Sequence, residues 1–149
     1  MDTISREKRS ENMSRIKSSN TKPELYIRNI LWRNGYRYRL KNSIYGRPDI
    51  WLRKYRTAIF VHGCFWHRHA GCKYAYTPKS NIQFWQAKFD ANTKRDADVS
   101  KTLLSSGVKI LIIWECTIKQ MMTDKDQCDS VIIRMNSFIA DAEQHYLEL

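Results

Sequence analysis

The sequence predicts a small α/β domain, a mixed central sheet flanked by helices. Short, mainly apolar runs of strand length stand at 49–52, 58–61 and 108–114. Longer stretches with apolar residues at helical spacing lie before, between and after them, and strands interleaved with helices need helical cover on the faces of a sheet. The 149 residues fit one domain, and a domain of this size buries roughly two-thirds of its unfolded surface, enough for a core without disulfides.

Residues 1–20 are polar and basic, with Met13 and Ile16 as isolated apolar points, and read as an arm in front of a single domain at 21–149. Thr21-Lys22-Pro23-Glu24 then has capping-box spacing with a proline in the first turn. Leu25, Ile27, Ile30, Leu31 and Trp32 carry a helix to Asn34-Gly35, where the glycine suits a helix end. After it the period changes to two. Tyr36, Tyr38 and Leu40 alternate with basic residues as on a half-buried strand. Gly46-Arg47-Pro48 is a turn, Asp49 to Leu52 a second strand, and Ala58 to Val61 a central one. A helix is expected from Asn81 to about Ser106, ending at Gly107, and the run from Val108 to Trp114 is the most apolar strand. A last amphipathic helix uses Val131, Met135, Phe138, Ile139 and Ala142 on one face, with Cys128 near its start as a plain thiol. The expected order is α-β-β-β-α-β-α.

Lys and Arg number 26 against 15 Asp and Glu, a net charge of +11. So large an excess on a small domain is the electrostatic footprint of a nucleic-acid binder. No apolar run approaches the ~20 residues that span a bilayer, and Met1 to Lys8 has no apolar stretch after its charges. The expectation is an intracellular, cytoplasmic protein without membrane contact, whose thiols stay reduced.

The chemistry is concentrated. Residues 60–72 hold three of the four histidines and two of the four cysteines. Cys64, His69 and Cys72 have spacing that one loop can wrap around a Zn²⁺, and Cys116, at the end of a strong strand, could close a tetrahedral site. Such a site has no open position for water, so it would be structural. His62 and His67 remain outside the set. Adjacent strands would bring Asp49 and His62 to one sheet edge, where a carboxylate can hold Mg²⁺. With a neutral imidazole beside it, that ion suffices for phosphodiester hydrolysis.

The run His62-Gly63-Cys64-Phe65-Trp66-His67, with Gly46-Arg47-Pro48-Asp49 upstream and Ile113-Trp114-Glu115-Cys116 downstream, resembles the very short patch repair (Vsr) DNA mismatch endonucleases. Arg9-Ser10, Asn12-Met13, Phe84-Trp85 and Arg95-Asp96 extend the resemblance from residue 9 to about 118. It implies a restriction-endonuclease-like core and Mg²⁺-dependent nicking of one strand, 5′ of the thymine in a T·G mismatch left by deamination of 5-methylcytosine. It further implies that Asp49 holds Mg²⁺ with the backbone carbonyl of Val61, that His67 is the general base, and that His62, supported by Asp96, assists at the scissile phosphate. Glu24 would contact water on that ion. Cys64, His69, Cys72 and Cys116 would bind a structural Zn²⁺. Phe65, Trp66 and Trp85 would wedge into the duplex, Asn12, Met13 and Ile16 would clasp the minor groove, and Lys88 and Asn92 would read the mismatched pair. The implied partners are double-stranded DNA and other mismatch-repair proteins, with the chain acting as a monomer.

Two departures stand out. Val61 replaces the family's usual threonine, so any metal contact there must use the main chain. Ala70-Gly71 adds a residue between His69 and Cys72, which the glycine lets the loop absorb. Glu24 is equally explained by the capping box, and Trp85, at helical spacing from Phe89, reads by itself as core. Phe65 and Trp66, adjacent on a polar loop, cannot both face one core. Two other functions fit parts of the pattern: a non-catalytic, zinc-ordered DNA-binding module, and a nuclease of the same fold with another target. Asp49 with His62 and His67 argues against the first, since a binding module needs no such constellation.

Overall fold

The computed structural model describes Ser5, Glu7, Lys8 and residues 20–149. Of the expected arm, Asn12, Met13 and Ile16 lie outside them.

Helix α1 (Lys22–Arg33) starts where the capping box places it: the Thr21 hydroxyl accepts from the Glu24 N–H at 3.3 Å, and Pro23 occupies the first turn. Its inner face is Ile27, Ile30 and Leu31. Gly35 ends the helix at φ 88°, a left-handed conformation that glycine takes without a Cβ clash.

Four strands follow in the order β1 (Ile50–Leu52), β2 (Thr57–His62), β3 (Lys109–Trp114) and β4 (Tyr146–Glu148). β1 runs antiparallel to β2, whereas β2–β3 and β3–β4 are parallel. The expected mixed sheet flanked by helices is therefore present. β2 and β3 are apolar on both faces because both faces are covered. On one side Ile50, Leu52, Ile59, Leu111 and Ile113 pack with α1, with α3 (Glu115–Thr123) and with α4 (Lys125–Ala140) through Ile118, Val131, Met135 and Phe138. On the other, Trp51, Ala58, Phe60, Ile110 and Ile112 meet Val99 and Leu103 of α2 (Ile82–Ser105). Among the described residues no helix is long and apolar enough to cross a membrane.

Three expectations need correction. The alternation at Tyr36, Tyr38 and Leu40 does not make a strand: only Arg39 pairs, in an antiparallel bridge with Trp51. A neighbouring strand of three residues offers little ladder to extend, and Tyr36 instead packs edge-on against Tyr55 and donates to Asn136. The last helix starts at Lys125, capped by Asp124, and stops at Ala140, so Ala142 is outside it. The order is also longer than expected. α3 follows β3 without a break, burying only Ile118 and Met121, and β4 is a three-residue edge strand with Tyr146 and Glu148 exposed.

Lys109 is buried at the start of β3, and its ammonium donates to the carbonyls of Phe138, Ile139 and Asp141. It caps the end of α4, where carbonyls lack intrahelical donors and a positive charge meets the negative end of the dipole. Lys109→Met should keep the stem packed but leave those carbonyls unpaired. Urea unfolding should show a loss of about 2–3 kcal/mol; an unchanged midpoint would mean that water satisfies the helix end.

Candidate functional site

β2 and β3 end together, with His62 directly opposite Trp114. The chain leaving β2 forms the loop 63–81, and the chain leaving β3 enters α3. The loop turns at once, through His67 N–H to Gly63 O at 3.1 Å and His69 N–H to Cys64 O at 3.0 Å. Arg68 pins it: its guanidinium donates to the carbonyls of Phe65, Ala75 and Tyr76 and to the Thr77 hydroxyl, while lying 3.9 Å over the Phe89 ring. Sequence reasoning had assigned Arg68 no role.

Cys64, His69, Cys72 and Cys116 converge, with one ligand atom from each inside a common 4.8 Å span. His69 Nδ1 lies 3.6 Å from Cys64 Sγ and 3.4 Å from Cys116 Sγ, and the Cys116 N–H donates to Cys64 Sγ. Three thiols and an imidazole so arranged could hold a metal ion. Burial pushes the Cys64 thiol up to about 12, so an incoming ion must displace its proton. Gly71, at φ 70°, takes the left-handed conformation that favours glycine. Cys128 stands apart, hydrogen bonded to the Tyr26 hydroxyl at 3.4 Å.

Beside this cluster opens a cleft of about 550 Å³ that gathers Glu24, Asp49, Val61, His62, His67 and Asp96. Asp49 accepts from the Val61 N–H at 2.7 Å. Burial lifts its carboxyl to about 6, and the charge of Glu24 adds to the shift. Glu24 is itself buried, accepting from the Asn20 N–H and from Arg28. It is thus a helix-start residue and a cleft wall at once.

His67 Nδ1 is 2.7 Å from Asp96 Oδ2, which turns Nε2 away from the carboxylate. Asp96 therefore hydrogen bonds His67, not His62 as the resemblance implied. His62 stacks flat on His67, ring centres 3.8 Å apart and planes 4° from parallel. Burial, reinforced by the charge of His67, pulls His62 down to about 4, so it is neutral at physiological pH. Its buried Nδ1 has no hydrogen-bond partner among the described residues. His62, His67 and Asp96 lie close enough to suggest a common ion. Parallel stacked rings argue against it, because an ion shared between them would lie outside both ring planes. The trio has the geometry of a carboxylate-held base with a neutral imidazole behind it.

Trp66 forms one wall of the cleft. Phe65 is edge-on to Trp66, Trp85 and Phe89 at 5.1–5.5 Å between centres, and Trp66 lies 5.9 Å from Trp85. Phe65 and Trp66 are both half-buried and neither belongs to a core cluster; each instead meets Trp85 in the first turn of α2. Asn92 donates to the Trp66 carbonyl at 3.1 Å, and the Lys88 ammonium lies 5.6 Å from the Trp66 ring centre. Arg47, Arg95 and Glu115 also line the cleft. Sequence reasoning quoted all three within motifs without giving them a role; their place beside Asp49, Asp96 and Cys116 was the available signal.

A family model described as DNA mismatch endonuclease Vsr matches residues 1–73. The type II nicking enzyme V.NmeAIP of Neisseria meningitidis serogroup A is 39% identical over 132 residues, covering 88% of this chain and 94% of that protein. The type II nicking enzyme V.XorIIP of Xanthomonas oryzae pv. oryzae is 38% identical, with 80% and 88% covered. The DNA mismatch endonuclease Vsr of Escherichia coli is 36% identical, with 78% and 76% covered.

The lifted Asp49 carboxyl has a consequence for stability. An acid near 3.8 in the unfolded chain and about 6 in the fold costs stability as pH rises through that window. In chelator, Asp49→Asn keeps an acceptor for the Val61 N–H and removes the buried charge. The variant should match the parent below pH 4 and exceed it above pH 6, by a few kcal/mol at most. Equal thermal stability at pH 7 would show that the carboxylate has a compensating partner.

Proposed function

The chain belongs to the DNA mismatch endonuclease Vsr family, and from that premise we propose that it nicks one strand of duplex DNA 5′ of the thymine in a T·G mismatch. The observation that carries this is the meeting in one cleft of Asp49, Glu24 and the Asp96-held His67, walled by Trp66. A binding module has no use for that set, and the helix-flanked mixed sheet beneath it fits a restriction-endonuclease-type core. The intracellular compartment of the DNA follows as part of the same proposal.

His67 is the general base. With Nδ1–H donated to Asp96, the Nε2 lone pair takes the proton of the attacking water, and the Asp96 carboxylate stabilises the imidazolium that forms. The new bond is from water oxygen to phosphorus, and the bond that breaks runs from phosphorus to the leaving nucleotide oxygen. His62, held neutral by burial, can only hydrogen bond at the scissile phosphate; it brings no charge. Arg47 and Arg95 at the cleft supply the cations that hold the phosphodiester.

Asp49 and the Val61 carbonyl would hold Mg²⁺, and Glu24 would contact water on that ion. Two carboxylates in a buried place that lifts Asp49 suit a hard cation. Bound there, Mg²⁺ supplies charge stabilisation at the phosphate. Cys64, His69, Cys72 and Cys116 would hold a structural Zn²⁺. Metal–sulfur and metal–nitrogen bonds of about 2.3 and 2.1 Å at a tetrahedral angle set sulfur and nitrogen about 3.6 Å apart, against the observed 3.6 and 3.4 Å. Phe65, Trp66 and Trp85 form the wedge, and Lys88 and Asn92, on the same side of α2 as Trp66, are placed to read the pair. A mismatched step opens more cheaply than a paired one, so stacking on aromatics discriminates without base-specific contacts. The residues 1–20 arm, with Asn12, Met13 and Ile16, is assigned to the minor-groove side.

A nicking assay on T·G, C·G and other mismatched duplexes, with Mg²⁺ and with EDTA, tests the proposal, and two variants sharpen it. His67→Ala should bind T·G duplex like the parent but nick it about 10²–10⁴-fold more slowly. Trp66→Ala should lose affinity and mismatch preference together, by about 1–3 kcal/mol. Cleavage equal on T·G and C·G, or undiminished in His67→Ala and Asp49→Ala alike, would overturn it. The names of the nicking-enzyme relatives keep the same-fold nuclease with another target as the second reading, and the other mismatches in the assay decide it.

Metal analysis after dialysis against a weak chelator should find about one zinc per chain, with Cys116→Ser sharply less stable. Well-folded protein without zinc would remove the structural site.

A further inference from the structure

Charge is not spread evenly along this chain. Between residues 25 and 89 there are thirteen Lys or Arg residues and a single carboxylate, that of Asp49. From residue 90 onward acids exceed bases, ten to seven. The basic half includes the β1 edge of the sheet, and the acidic half the β4 edge.

At the β1 edge the basic side chains converge. Arg39 bridges Trp51, with N–H···O distances of 2.9 and 3.0 Å, so the two side chains leave the sheet on one face. Trp51 packs in the cluster with Phe60 and Val99, on the α2 side where the cleft also opens. There Arg39, Lys41 and Arg53 line an open groove of about 530 Å³ floored by Trp51 and Ile44. All three are exposed, and none forms a salt bridge among the described residues. The neighbouring Arg37 is differently employed, stacked on Trp32 and bonded to main-chain carbonyls.

Groove and cleft are two sides of one ridge. The loop 42–48 gives Asn42, Ser43 and Ile44 to the groove and Gly46 and Arg47 to the cleft. The ridge is rigidly seated. Asn42 donates to the Leu40 and Pro48 carbonyls, the Tyr45 hydroxyl donates to Asp98, and Gly46 lies so close to Val99 that a Cβ would come within 2.4 Å of it. From Asp49 to Leu52 the chain advances about 10 Å at 3.3 Å per residue, or roughly three base-pair rises of duplex, and Arg53 follows at once.

We propose that the Arg39–Lys41–Arg53 groove is a second phosphate site, which holds the backbone of the duplex flanking the nick on one side only. The proposal rests on the chain acting on duplex DNA but not on the T·G target. Three cations beside a seated ridge, exposed and in no salt bridge among the described residues, fit a polyanion whose charges recur along a line. Such contacts release counterions and carry no sequence information. The groove therefore adds affinity and register without touching the choice of lesion or the chemical step.

The test measures binding in EDTA, so that no cleavage intervenes. The variant Arg39→Gln/Lys41→Gln/Arg53→Gln should bind a long T·G duplex at least about tenfold more weakly at low salt, with the slope of log affinity on log salt reduced by about 2–3. Arg39→Lys/Arg53→Lys, which keeps the charges, should bind like the parent. With Mg²⁺ and saturating DNA, the glutamine variant should nick at the parental rate with the parental mismatch preference. Duplexes truncated within about three base pairs of the mismatch, on one side or the other, localise the contact. The difference between parent and variant should vanish on one truncation and persist on the other. An unchanged salt slope, or a deficit that survives both truncations, would overturn the groove. A parent that binds as expected but nicks a different substrate would overturn only the T·G assignment.

Discussion

Strands β2 and β3 pair in parallel from Thr57 opposite Lys109 to His62 opposite Trp114, and the rest of the site depends on that register. Cys64 and Cys116 each stand two residues beyond the paired ends. The Cys116 N–H can then reach Cys64 Sγ, and the cysteine–histidine cluster straddles the exits of two strands. Side chains alternate along a strand, so a slip of one residue would turn every inward group outward. His62 would then leave the α2 face, where it meets His67. The antiparallel pairing of β1 with β2, through Ile50 opposite Ile59, adds Asp49 to the same edge. The apolar runs of β2 and β3 look like core, and they are core; they are also the frame that fixes the chemistry.

Burial acts on the two titratable groups of the cleft in opposite directions for one reason. It lifts Asp49 to about 6 and pulls His62 down to about 4, because in each case the charged form is the one that loses water. An evolved core would pair or remove such groups. Here Asp49 shares the cleft with a buried carboxylate, Glu24, and His62 Nδ1 has no partner among the described residues. The cost falls on stability and is offset by the apolar packing on both faces of the sheet and by buried bonds such as those of Lys109. By contrast, His67 and Asp96 are each more than a quarter exposed, where water can deliver and carry away protons. Unfavourable groups deep in the cleft and an accessible pair at its mouth suit a site completed by its ligands.

What the sequence made legible were long, unambiguous signals. The capping box at Thr21–Glu24, the apolar runs of β2 and β3, and the helix ending at Gly107 are stated locally, by a few residues of the right type. So is the cysteine and histidine spacing that anticipated the converging ligands. The misses share a cause: the deciding contact lies elsewhere in the chain. Alternation at Tyr36–Leu40 makes a strand only beside a partner long enough to pair with, and β1 is three residues. β4 exposes Tyr146 and Glu148, and its place is set by main-chain bonds such as Leu149 N–H to Ile112 O, which leave no hydrophobic pattern. The partner of Asp96 was misread because His62 and His67 are both one loop away from it, and only the stacked geometry shows which imidazole is presented to the carboxylate.

The cysteine–histidine cluster and the histidine pair are further joined by a side chain that belongs to neither. Trp114 lies flat on His69 at 4.1 Å, and meets His62 edge-on at 5.3 Å. Its indole N–H donates to Glu148 in β4 at 3.2 Å. An indole clamped on its polar edge cannot tilt freely, and close-packed interiors transmit displacement instead of absorbing it. The orientation of His69, which a bound metal would fix, is thereby felt at His62, and through the stack at His67. An ion held by those four residues would do more than close a loop: it would set one end of a row of rings that runs to His67. That is a physical reason for a chain this small to keep three cysteines and a histidine beside its cleft. His67 has Asp96 to hold its plane, whereas His62, whose Nδ1 has no partner among the described residues, has only the rings packed against it.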